Sequence, residues 1–454
     1  MRMIETLAVR LVPRRVQMLL IGATAWTLIS LAWGSLGSAD DWPRWRGPQG
    51  NGVSSEIGLP QTWSTIKNVR WCAEIPGQGS SSPVICQRRL YLTSASDGGT
   101  RRTLHCLDCK NGSTLWTYEI EDDWPEITSS LTGHAAATVA TDGKHVVAFF
   151  GNAGAIACDT EGRLLWRKDL GDFESELGLA SSPVIHRDQV LLVCDHDGDR
   201  FGSFDSFLIA LDVATGQTRW KTLRQGLYRS WSTPLVIPVG PDCASAKLPD
   251  GVQTHRAADT KQVPSREELI VAGQDALRAY DPVTGAELWR VEGLTGWVAP
   301  SPVFGQGLIF AASGKDGPTL AVRPGGRGDV TETHVVWSER RGAPYVSSPL
   351  LYGDYLYVAN ELGVVTCRRA ETGEIAWQRR LEGKFLASPI AADGKVYLAA
   401  ESGTVYVLSA GPEFRLLAEN SLDEEILASP AIADGCLYVR TQRRLYCFQN
   451  VTSE

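Results

Sequence analysis

The chain of 454 residues has little charge and little methionine, with 21% charged residues and 3 Met. No basic run that could meet an anionic partner is longer than a pair such as Arg443 and Arg444. Residues 1–39 carry +3, which leaves −11 for residues 40–454. Because binding to a phosphate backbone needs clustered Lys and Arg, nucleic acid is not an expected partner. A hydrophobic content of 43% and 15 Trp exclude a disordered chain.

The common catalytic motifs are also missing. No Gly-x-Ser-x-Gly, His-Glu-x-x-His or P-loop pattern occurs, and the 7 His are scattered. Among the 10 Cys, Cys106 and Cys109 form a Cys-x-x-Cys pair, but no second pair or nearby His completes a zinc set. The spacing predicts mostly buried thiols and leaves one or two disulfides open. We therefore assign no catalytic residue, and a non-enzymatic protein is favoured while enzymatic activity stays open.

The N-terminus has the pattern of an export signal. Arg10, Arg14 and Arg15 form a basic region before the uncharged, mostly apolar stretch 16–36, and the small residues 37–39 offer a cleavage position. We expect a signal peptide over 1–39 and a periplasmic or otherwise exported protein. The alternative is an inner-membrane anchor at 16–36, because this stretch is long enough to span a bilayer. No Cys precedes Cys72, so a lipid-bearing N-terminal cysteine is not expected.

Two short phrases recur along the chain and indicate a repeat fold. The first is Ser or Thr followed by Pro at the start of a β-rich run. Its copies begin at Ser82, Ser182, Thr233, Ser301, Ser348, Ser388 and Ser429. The second is Asp-x-x-x-Gly-x-x-x-Trp, in which Asp and Gly suit a tight turn and Trp is a large plate for packing on the next sheet. Complete and degenerate copies, with one spare strand, place these blade-docking residues at Trp71, Trp116, Trp166, Trp220, Trp289, Trp337 and Trp377.

Counting the units gives eight groups of short antiparallel strands. The last unit, 426–450, stops after its third strand, whereas the strand 68–74 is spare at the other end. We therefore predict an all-β fold: an eight-bladed β-propeller of four-stranded antiparallel blades over 68–450, closed by the N-terminal strand. An open solenoid would not explain one strand missing and one spare. Residues 40–67 are expected to be an extension packed on the propeller, and 238–267 an inserted surface loop.

The residues just before each Ser/Thr-Pro are expected to line one mouth of the central channel. Aromatic and cationic side chains at a concave mouth are typical of ligand or partner sites. This predicted mouth set comprises Gln78, Arg229, Trp231, Trp297, Tyr345, Lys384 and Phe385. The alternative is that these residues only pack the inner rim of the ring.

An acidic group is the one candidate metal site. Asp195, Asp197 and Asp199 offer the oxygen ligands that calcium prefers. Their spacing is not that of an EF-hand loop, and Asp and Gly are ordinary residues of a hairpin turn. Calcium at this position is therefore a hypothesis that competes with a simple turn.

Three stretches carry a family resemblance. Ser-Ser-Pro-Val-Ile at 81–85, the run 211–220 and Asp-Trp-Pro-Arg-Trp-Arg-Gly-Pro at 41–48 resemble the PQQ-like (pyrroloquinoline quinone repeat) β-propeller proteins. These are exported relatives of quinoprotein alcohol dehydrogenases and of BamB, the scaffold of outer-membrane protein assembly. The resemblance covers about residues 41–450 and implies the fold far more firmly than a function.

The resemblance has two departures. Quinoprotein dehydrogenases of this fold use a vicinal Cys-Cys disulfide and a calcium set of Glu, Asn and Asp, and neither pattern is found here. PQQ and calcium are therefore possible cofactors without motif support, and no cofactor is the expectation. BamB is a lipoprotein, whereas this chain lacks the lipid-bearing Cys. Neither function can be carried over residue by residue.

Together these features predict an exported, non-enzymatic propeller that acts as a protein- or ligand-binding scaffold in the cell envelope, BamB-like by resemblance. A PQQ-dependent quinoprotein oxidoreductase is the first alternative. A polysaccharide-binding or lyase-type propeller is the second, because an aromatic mouth suits sugars. The expected partner is an envelope protein or a small ligand. The protein is expected to be a monomer that meets a membrane only through an uncleaved N-terminal segment.

Overall fold

Eight antiparallel sheets follow one another along the chain in the computed structural model, which describes residues 41–198, 205–224, 226–227, 230–240 and 266–450. We number these sheets as blades 1 to 8 in chain order. Mostly apolar, buried runs form the inner and middle strands, and outer strands such as Thr114–Glu121 have mixed exposed and buried residues. Gly and Asp turns separate the strands. The prediction of an eight-bladed all-β propeller is confirmed.

The first four blades run from the inner to the outer strand in chain order. The strands of blade 1 are Val84–Cys86, Arg89–Ser96, Arg101–Asp108 and Thr114–Glu121. Those of blade 2 are Ala140–Thr141, His145–Phe149, Ala155–Asp159 and Leu164–Lys168. Those of blade 3 are Val184–His186, Gln189–Cys194, Phe207–Asp212 and Thr218–Leu223. Those of blade 4 are Leu235–Val239, Arg266–Gly273, Ala276–Tyr280 and Glu287–Glu292, with the short parallel strand Gly328–Asp329 added outside.

The second half of the ring repeats this order. The strands of blade 5 are Val303–Gly305, Leu308–Ala312, Thr319–Val322 and Val335–Glu339. Those of blade 6 are Leu350–Tyr352, Tyr355–Ala359, Val364–Arg369 and Ile375–Arg380. Those of blade 7 are Ile390–Ala392, Lys395–Ala399, Thr404–Ser409 and Leu416–Ser421. Blade 8 has Ala431–Ala433, Cys436–Arg440 and Arg444–Phe448 from the C-terminal end and Val69–Glu74 as its outer strand.

The described residues form very little helical structure. In the described ranges, the α-helix Thr331–His334 is a single turn, and two 3-10 turns lie at Asp97–Gly99 and Gly151–Ala153. No helix there has the length and apolar character that crossing a bilayer requires. The predicted export segment at 1–39 lies outside the described residues, so the export signal stays a prediction.

The outer strand of blade 8 comes from the other end of the chain. Val69–Glu74 pairs antiparallel with Arg444–Phe448, with Trp71 opposite Cys447. The two ends of the propeller therefore share one sheet. This arrangement leaves no open edge between the first and last blades, where unpaired strand groups would invite aggregation.

The tryptophan that ends a blade docks on the turn of the next blade. Trp71 donates its indole N–H to the carbonyl of Cys109 at 2.8 Å, and Trp166 donates to that of Val213 at 2.8 Å. The same bond is made by Trp116, Trp220, Trp337 and Trp377. The ring then covers the glycine of that turn: a Cβ built on Gly216 would lie 2.7 Å from Trp166. This contact explains why the repeat demands Gly at the position.

Trp289 departs from this pattern. Its side chain is fully buried, and its indole N–H donates to the Glu268 carboxylate at 2.8 Å in the same blade. The next blade has no matching turn here, because residues 323–334 leave the sheet before the outer strand Val335–Glu339. Trp289 thus packs as the others do but depends on a buried carboxylate for its hydrogen bond.

The docking contact predicts that replacing a turn glycine beneath the indole ring destabilises the fold. Gly216→Ala is expected to cost about 1–3 kcal/mol more than Gly394→Ala, because only the first adds overpacking to the strain of a positive φ. The two glycines have φ of +69° and +68°, and a Cβ on Gly394 would meet no atom within 4 Å. Urea unfolding of the two variants measures the difference. Equal losses would mean that the indole moves aside and that the contact does not select Gly.

The N-terminal extension lies across the inner strands at one end of the channel. Trp42 forms a bridge with Ile85 in blade 1, and Val53 forms one with Ala391 in blade 7. Trp63 is buried and stacks on Phe448, with ring centroids 5.2 Å apart. These contacts place the extension on the propeller.

The predicted insertion is shorter than expected. Strands occupy both ends of 238–267, since Leu235–Val239 and Arg266–Gly273 pair with each other, and 241–265 lies outside the described residues.

Among the described cysteines no disulfide is present, and eight of the nine thiols are buried. Cys243 lies outside the described residues. The possible one or two bridges are therefore not seen in this part of the chain.

Candidate functional site

A closed ring of eight hydrogen bonds surrounds the channel. In seven blades the Ser or Thr before Pro, and in blade 2 the equivalent Thr138, donates its backbone N–H to the hydroxyl of the corresponding residue in the next blade. The ring runs through Ser82, Thr138, Ser182, Thr233, Ser301, Ser348, Ser388 and Ser429 and returns to Ser82, with distances of 2.7–3.0 Å. All eight side chains are buried. We call this set the hydroxyl ring; it ties the inner strands of neighbouring blades together.

Three aromatic side chains rise above the hydroxyl ring at the mouth. Trp231 and Trp297 have ring centroids 5.9 Å apart, and the Trp231 indole N–H donates to the carbonyl of Gly178 at 2.6 Å. The Lys315 ammonium lies 5.5 Å from the centre of the Trp297 ring and 4.8 Å from that of Tyr345. We call Trp231, Trp297 and Tyr345 the aromatic rim, to which Lys315 adds a cation–π contact.

The space between the rim and the ring is a small, mostly apolar cavity of about 120 Å³. Leucines from several blades complete its wall, and Trp45 of the N-terminal extension belongs to its lining. The residues that contribute leucine are Leu131, Leu177, Leu386 and Leu427. No charged side chain belongs to the described lining of this cavity. It therefore suits an apolar group with a polar tip.

The predicted mouth set is only partly brought together. Trp231, Trp297 and Tyr345 line the cavity, whereas Gln78 and Lys384 do not. Gln78 pairs with Ala95 through the backbone, and the exposed Lys384 ammonium lies 3.1 Å from the Glu401 carboxylate. Arg229 lies outside the described residues.

Phe385 belongs to the predicted mouth set but lies in the core instead of at the mouth. Its side chain is 1% exposed and packs edge-on to Tyr406, with ring centroids 6.0 Å apart, in the core between blades. An apolar ring gains more from full burial than from a place at a wet mouth, and the next residue, Leu386, lines the cavity instead.

A loop beside the mouth adds two exposed apolar side chains. In the segment 122–133, which connects blades 1 and 2, Trp124 is 68% exposed and Ile127 is 75% exposed. The loop is anchored from below, because the buried Glu126 carboxylate lies 2.8 Å from the Arg102 guanidinium. Three further residues of the loop line the cavity. We call residues 122–133 the mouth loop. The sequence does not predict this loop as part of the mouth, because the loop belongs to neither repeat phrase. Its departure from the repeat is the signal that the sequence offers.

The acidic candidate for calcium has protein partners where it is described. Asp195 is buried and lies 3.1 Å from the equally buried Arg224, and the Asp197 carboxylate accepts the backbone N–H of Glu176 at 3.0 Å. Asp199 lies outside the described residues. In the described ranges, no group of three or more His, Cys, Asp or Glu side chains could hold a metal ion. Calcium at this site stays a prediction.

These features define an eight-bladed β-propeller with an aromatic channel mouth. The chain belongs to the family described as outer membrane protein assembly factor BamB, whose profile matches residues 64–235, 208–352 and 329–411. The resemblance read from the repeat phrases is thereby confirmed.

Curated relatives point in two functional directions. A polyvinylalcohol dehydrogenase of Sphingopyxis sp. (strain 113P3) is 25% identical over 281 residues, which is 57% of this chain and 40% of that protein. The outer membrane protein assembly factor BamB of Marinobacter adhaerens is 30% identical over 112 residues, 24% of this chain and 26% of that protein. The matches thus span well under two thirds of either relative. 

Among solved structures, the quinohemoprotein alcohol dehydrogenase of Comamonas testosteroni superposes with a TM-score of 0.62 at 12% identity. The superposition covers 91% of this chain and 82% of that one. At this identity the likeness concerns the fold alone.

The fold family implies pyrroloquinoline quinone, and the described mouth does not fit it. This cofactor is a fused-ring tricarboxylate, and pockets that bind small molecules usually enclose about 300–1,000 Å³. The cavity here has about 120 Å³, which is below that range. We therefore derive no reaction step through this group.

Proposed function

We propose that this protein is a non-enzymatic, exported propeller that binds a partner protein of the cell envelope at its aromatic mouth. The observation that carries the proposal is the mouth itself: an aromatic rim above a small uncharged cavity. Buried aromatic pockets of this kind receive the anchoring side chains of protein partners. The cavity of about 120 Å³ has room for one such side chain.

The mouth loop supports a protein partner over a free metabolite. Trp124 and Ile127 are exposed by 68% and 75% beside the cavity, in a loop held by a buried ion pair. Exposed apolar side chains on an anchored loop gain free energy when a second surface covers them. A partner that inserts one side chain into the cavity would also cover this loop.

The cell envelope is the proposed location for two reasons. The N-terminal segment has an export pattern in the sequence. The chain also belongs to a family whose description names outer membrane protein assembly.

The test compares partner retention by the native protein and by Trp297→Ala/Tyr345→Ala. Loss of two rim rings is expected to weaken binding at least about thirtyfold, the effect of removing a hot spot of about 2 kcal/mol. Quantitative mass spectrometry of proteins retained from envelope extract gives the readout. The matched control is Ile375→Ala/Leu416→Ala, because Ile375 and Leu416 are exposed apolar residues on outer strands. A partner lost equally from both double variants would contradict a mouth site.

A PQQ-dependent oxidoreductase is the second candidate. The match to a polyvinylalcohol dehydrogenase over 57% of this chain favours it. The test is reconstitution with PQQ and calcium, followed by dye-linked oxidation of polyvinyl alcohol and short alcohols. Turnover above the rate of the untreated protein would replace the binding proposal. We expect none, because the mouth cavity is small.

A further inference from the structure

The hydroxyl ring has protons to donate and finds no acceptor for them among the residues that the structure describes. Each hydroxyl accepts one backbone N–H, which leaves its own O–H group free to donate. Among the described residues, none of the eight hydroxyl protons has an acceptor within hydrogen-bonding distance. Six of the ring residues line the mouth cavity. Buried donors in native proteins are nearly always satisfied, so an acceptor from outside the chain is expected here.

Two buried guanidiniums beside the ring also have no counter-ion within the described part of the chain. Arg46 donates to the carbonyl of Pro349, the residue after a ring serine, and Arg440 donates to the carbonyl and hydroxyl of Ser81, the residue before one. Each side chain is 1% exposed and keeps two nitrogen atoms without a partner. No described carboxylate pairs with either of them, and burial lowers the pKa of each to about 9.

Neither guanidinium belongs to the described lining of the cavity, so the two cations favour an anion at the ring through their electrostatic field and not by direct contact. An isolated buried cation is costly unless a negative group neutralises it, and two such cations contact the chain next to the hydroxyl ring. No acidic side chain in the described lining would repel an anion. A carboxylate fits this demand, since its two oxygens only accept hydrogen bonds and can take several at once.

From this geometry we infer that the mouth binds a carboxylate carried on an apolar stem, with the carboxylate at the hydroxyl ring and the stem against the aromatic rim. The inference concerns the same mouth as the proposed function and rests on it for the partner: the partner would present such a group. The cavity of about 120 Å³ is of the size that takes a benzene ring in other proteins, about 150 Å³. The group is either a free organic acid or a glutamate side chain of a protein.

The experiment uses the full-length protein and two matched pairs of probes in calorimetry. Phenylacetate is compared with 2-phenylethanol, and a capped Ala-Glu-Ala peptide with capped Ala-Gln-Ala. At least one carboxylate is expected to bind about tenfold or more tightly than its neutral partner, as for hydrogen bonds to a charged group. Tighter binding of phenylacetate alone would identify a free acid as the source, and tighter binding of the Glu peptide would identify a protein side chain. Equal binding within both pairs, or no binding of either carboxylate, would overturn the inference.

Two variants locate the carboxylate at the ring. Thr233→Val removes one ring hydroxyl at nearly constant shape and is expected to weaken carboxylate binding about tenfold, whereas Thr233→Ser retains the hydroxyl and the affinity. If Thr233→Val fails to fold, Thr138→Val and Thr138→Ser make the same comparison, and the probe pairs on the native protein stand without any variant. Unchanged binding in both valine variants would overturn the assignment to the ring.

The outcomes separate this inference from the proposed function. A partner that is lost from Trp297→Ala/Tyr345→Ala while both carboxylate probes fail would leave the mouth as a protein-binding site and reject the carboxylate. Carboxylate binding that persists while no partner depends on the mouth would reject the protein-binding function and retain a small-acid site.

Discussion

Arg102→Met is expected to lower the free energy of unfolding by about 3–5 kcal/mol, the usual cost of breaking a buried ion pair from one side. The Arg102 side chain is 0% exposed and lies 2.8 Å from Glu126 and 3.3 Å from Asp122. It also donates to backbone carbonyls of Gly99 and Phe150. Its loss leaves the Glu126 carboxylate buried without its cation. Urea unfolding of the native protein and the variant measures the difference.

The matched control is an arginine with two carboxylates at the surface. Arg219 lies 2.6 Å from Asp188 and 2.7 Å from Asp212, and its side chain is 33% exposed. Arg219→Met is expected to cost no more than about 1 kcal/mol, because solvent screens the pair. If both variants lose a similar free energy of unfolding, burial does not explain how much the Arg102 pair stabilises the fold.

The pH dependence identifies Glu126 as the group that Arg102 stabilises. Burial on its own raises the pKa of Glu126, but hydrogen bonds from His134 and Arg102 and the charge of Arg102 lower it to about 2. A carboxyl with a pKa below its unfolded value stabilises the fold above that unfolded value, near 4.5. Its contribution is then lost as the pH falls from about 4.5 toward 2. The difference in the free energy of unfolding between the native protein and Arg102→Met should therefore be largest above pH 4.5 and become smaller toward pH 2. A constant difference would contradict this assignment.

Arg102 also matters for the proposed function. It holds the mouth loop through Glu126, so its variant should release Trp124 and Ile127 from their fixed position beside the cavity. The stability and binding readouts together would separate a loop effect from general unfolding.

Trp289→Ala is expected to cost about 3–5 kcal/mol, the range for removing a large buried aromatic ring. The side chain is 0% exposed and packs between the strands of blade 4 and those of blade 5. Its indole N–H donates to the buried Glu268 carboxylate, which also accepts the backbone N–H of Gly325 at 3.2 Å. The substitution both leaves a cavity and removes a donor from a buried charge. Thermal and urea unfolding measure the loss.

A phenylalanine pair isolates the hydrogen bond. Trp289→Phe removes a bond to a carboxylate and is expected to cost about 1 kcal/mol more than Trp166→Phe, whose lost bond goes to a neutral carbonyl. Both rings are buried, and both indole bonds are 2.8 Å long. Equal costs would show that the Glu268 contact adds nothing beyond that of an ordinary docking tryptophan.

The fold could be predicted because the same short-range sequence signals recur in each blade. The Asp and Gly of a turn act through their own backbone, and the apolar alternation of a strand is visible within a few residues. The strand Val69–Glu74 was predictable for another reason, namely that one unit lacked a strand and the other end had a spare one. The fifth strand of blade 4, Gly328–Asp329, was not predictable, since it is two residues long and pairs through a break in the repeat.

The candidate site was predictable only in part. Trp231, Trp297 and Tyr345 were found by their position before each Ser/Thr-Pro, while Phe385 at the equivalent position turned into the core. Adjacent residues of an extended chain point to opposite sides, and the sequence does not say which side faces the channel. Lys315 and Trp124 were missed because they come from loops that the repeat does not describe.

The sequence by itself determined the number of blades, their order and the positions of the docking tryptophans, since these depend on short-range turn and strand chemistry repeated eight times. Only the tertiary structure decided which side chains meet at the mouth. The hydroxyl ring joins residues as far apart as Ser82 and Ser429, and Arg46 reaches Pro349. Hydrogen-bond partners and buried charges of this kind depend on closing the ring in space, and no local pattern records them.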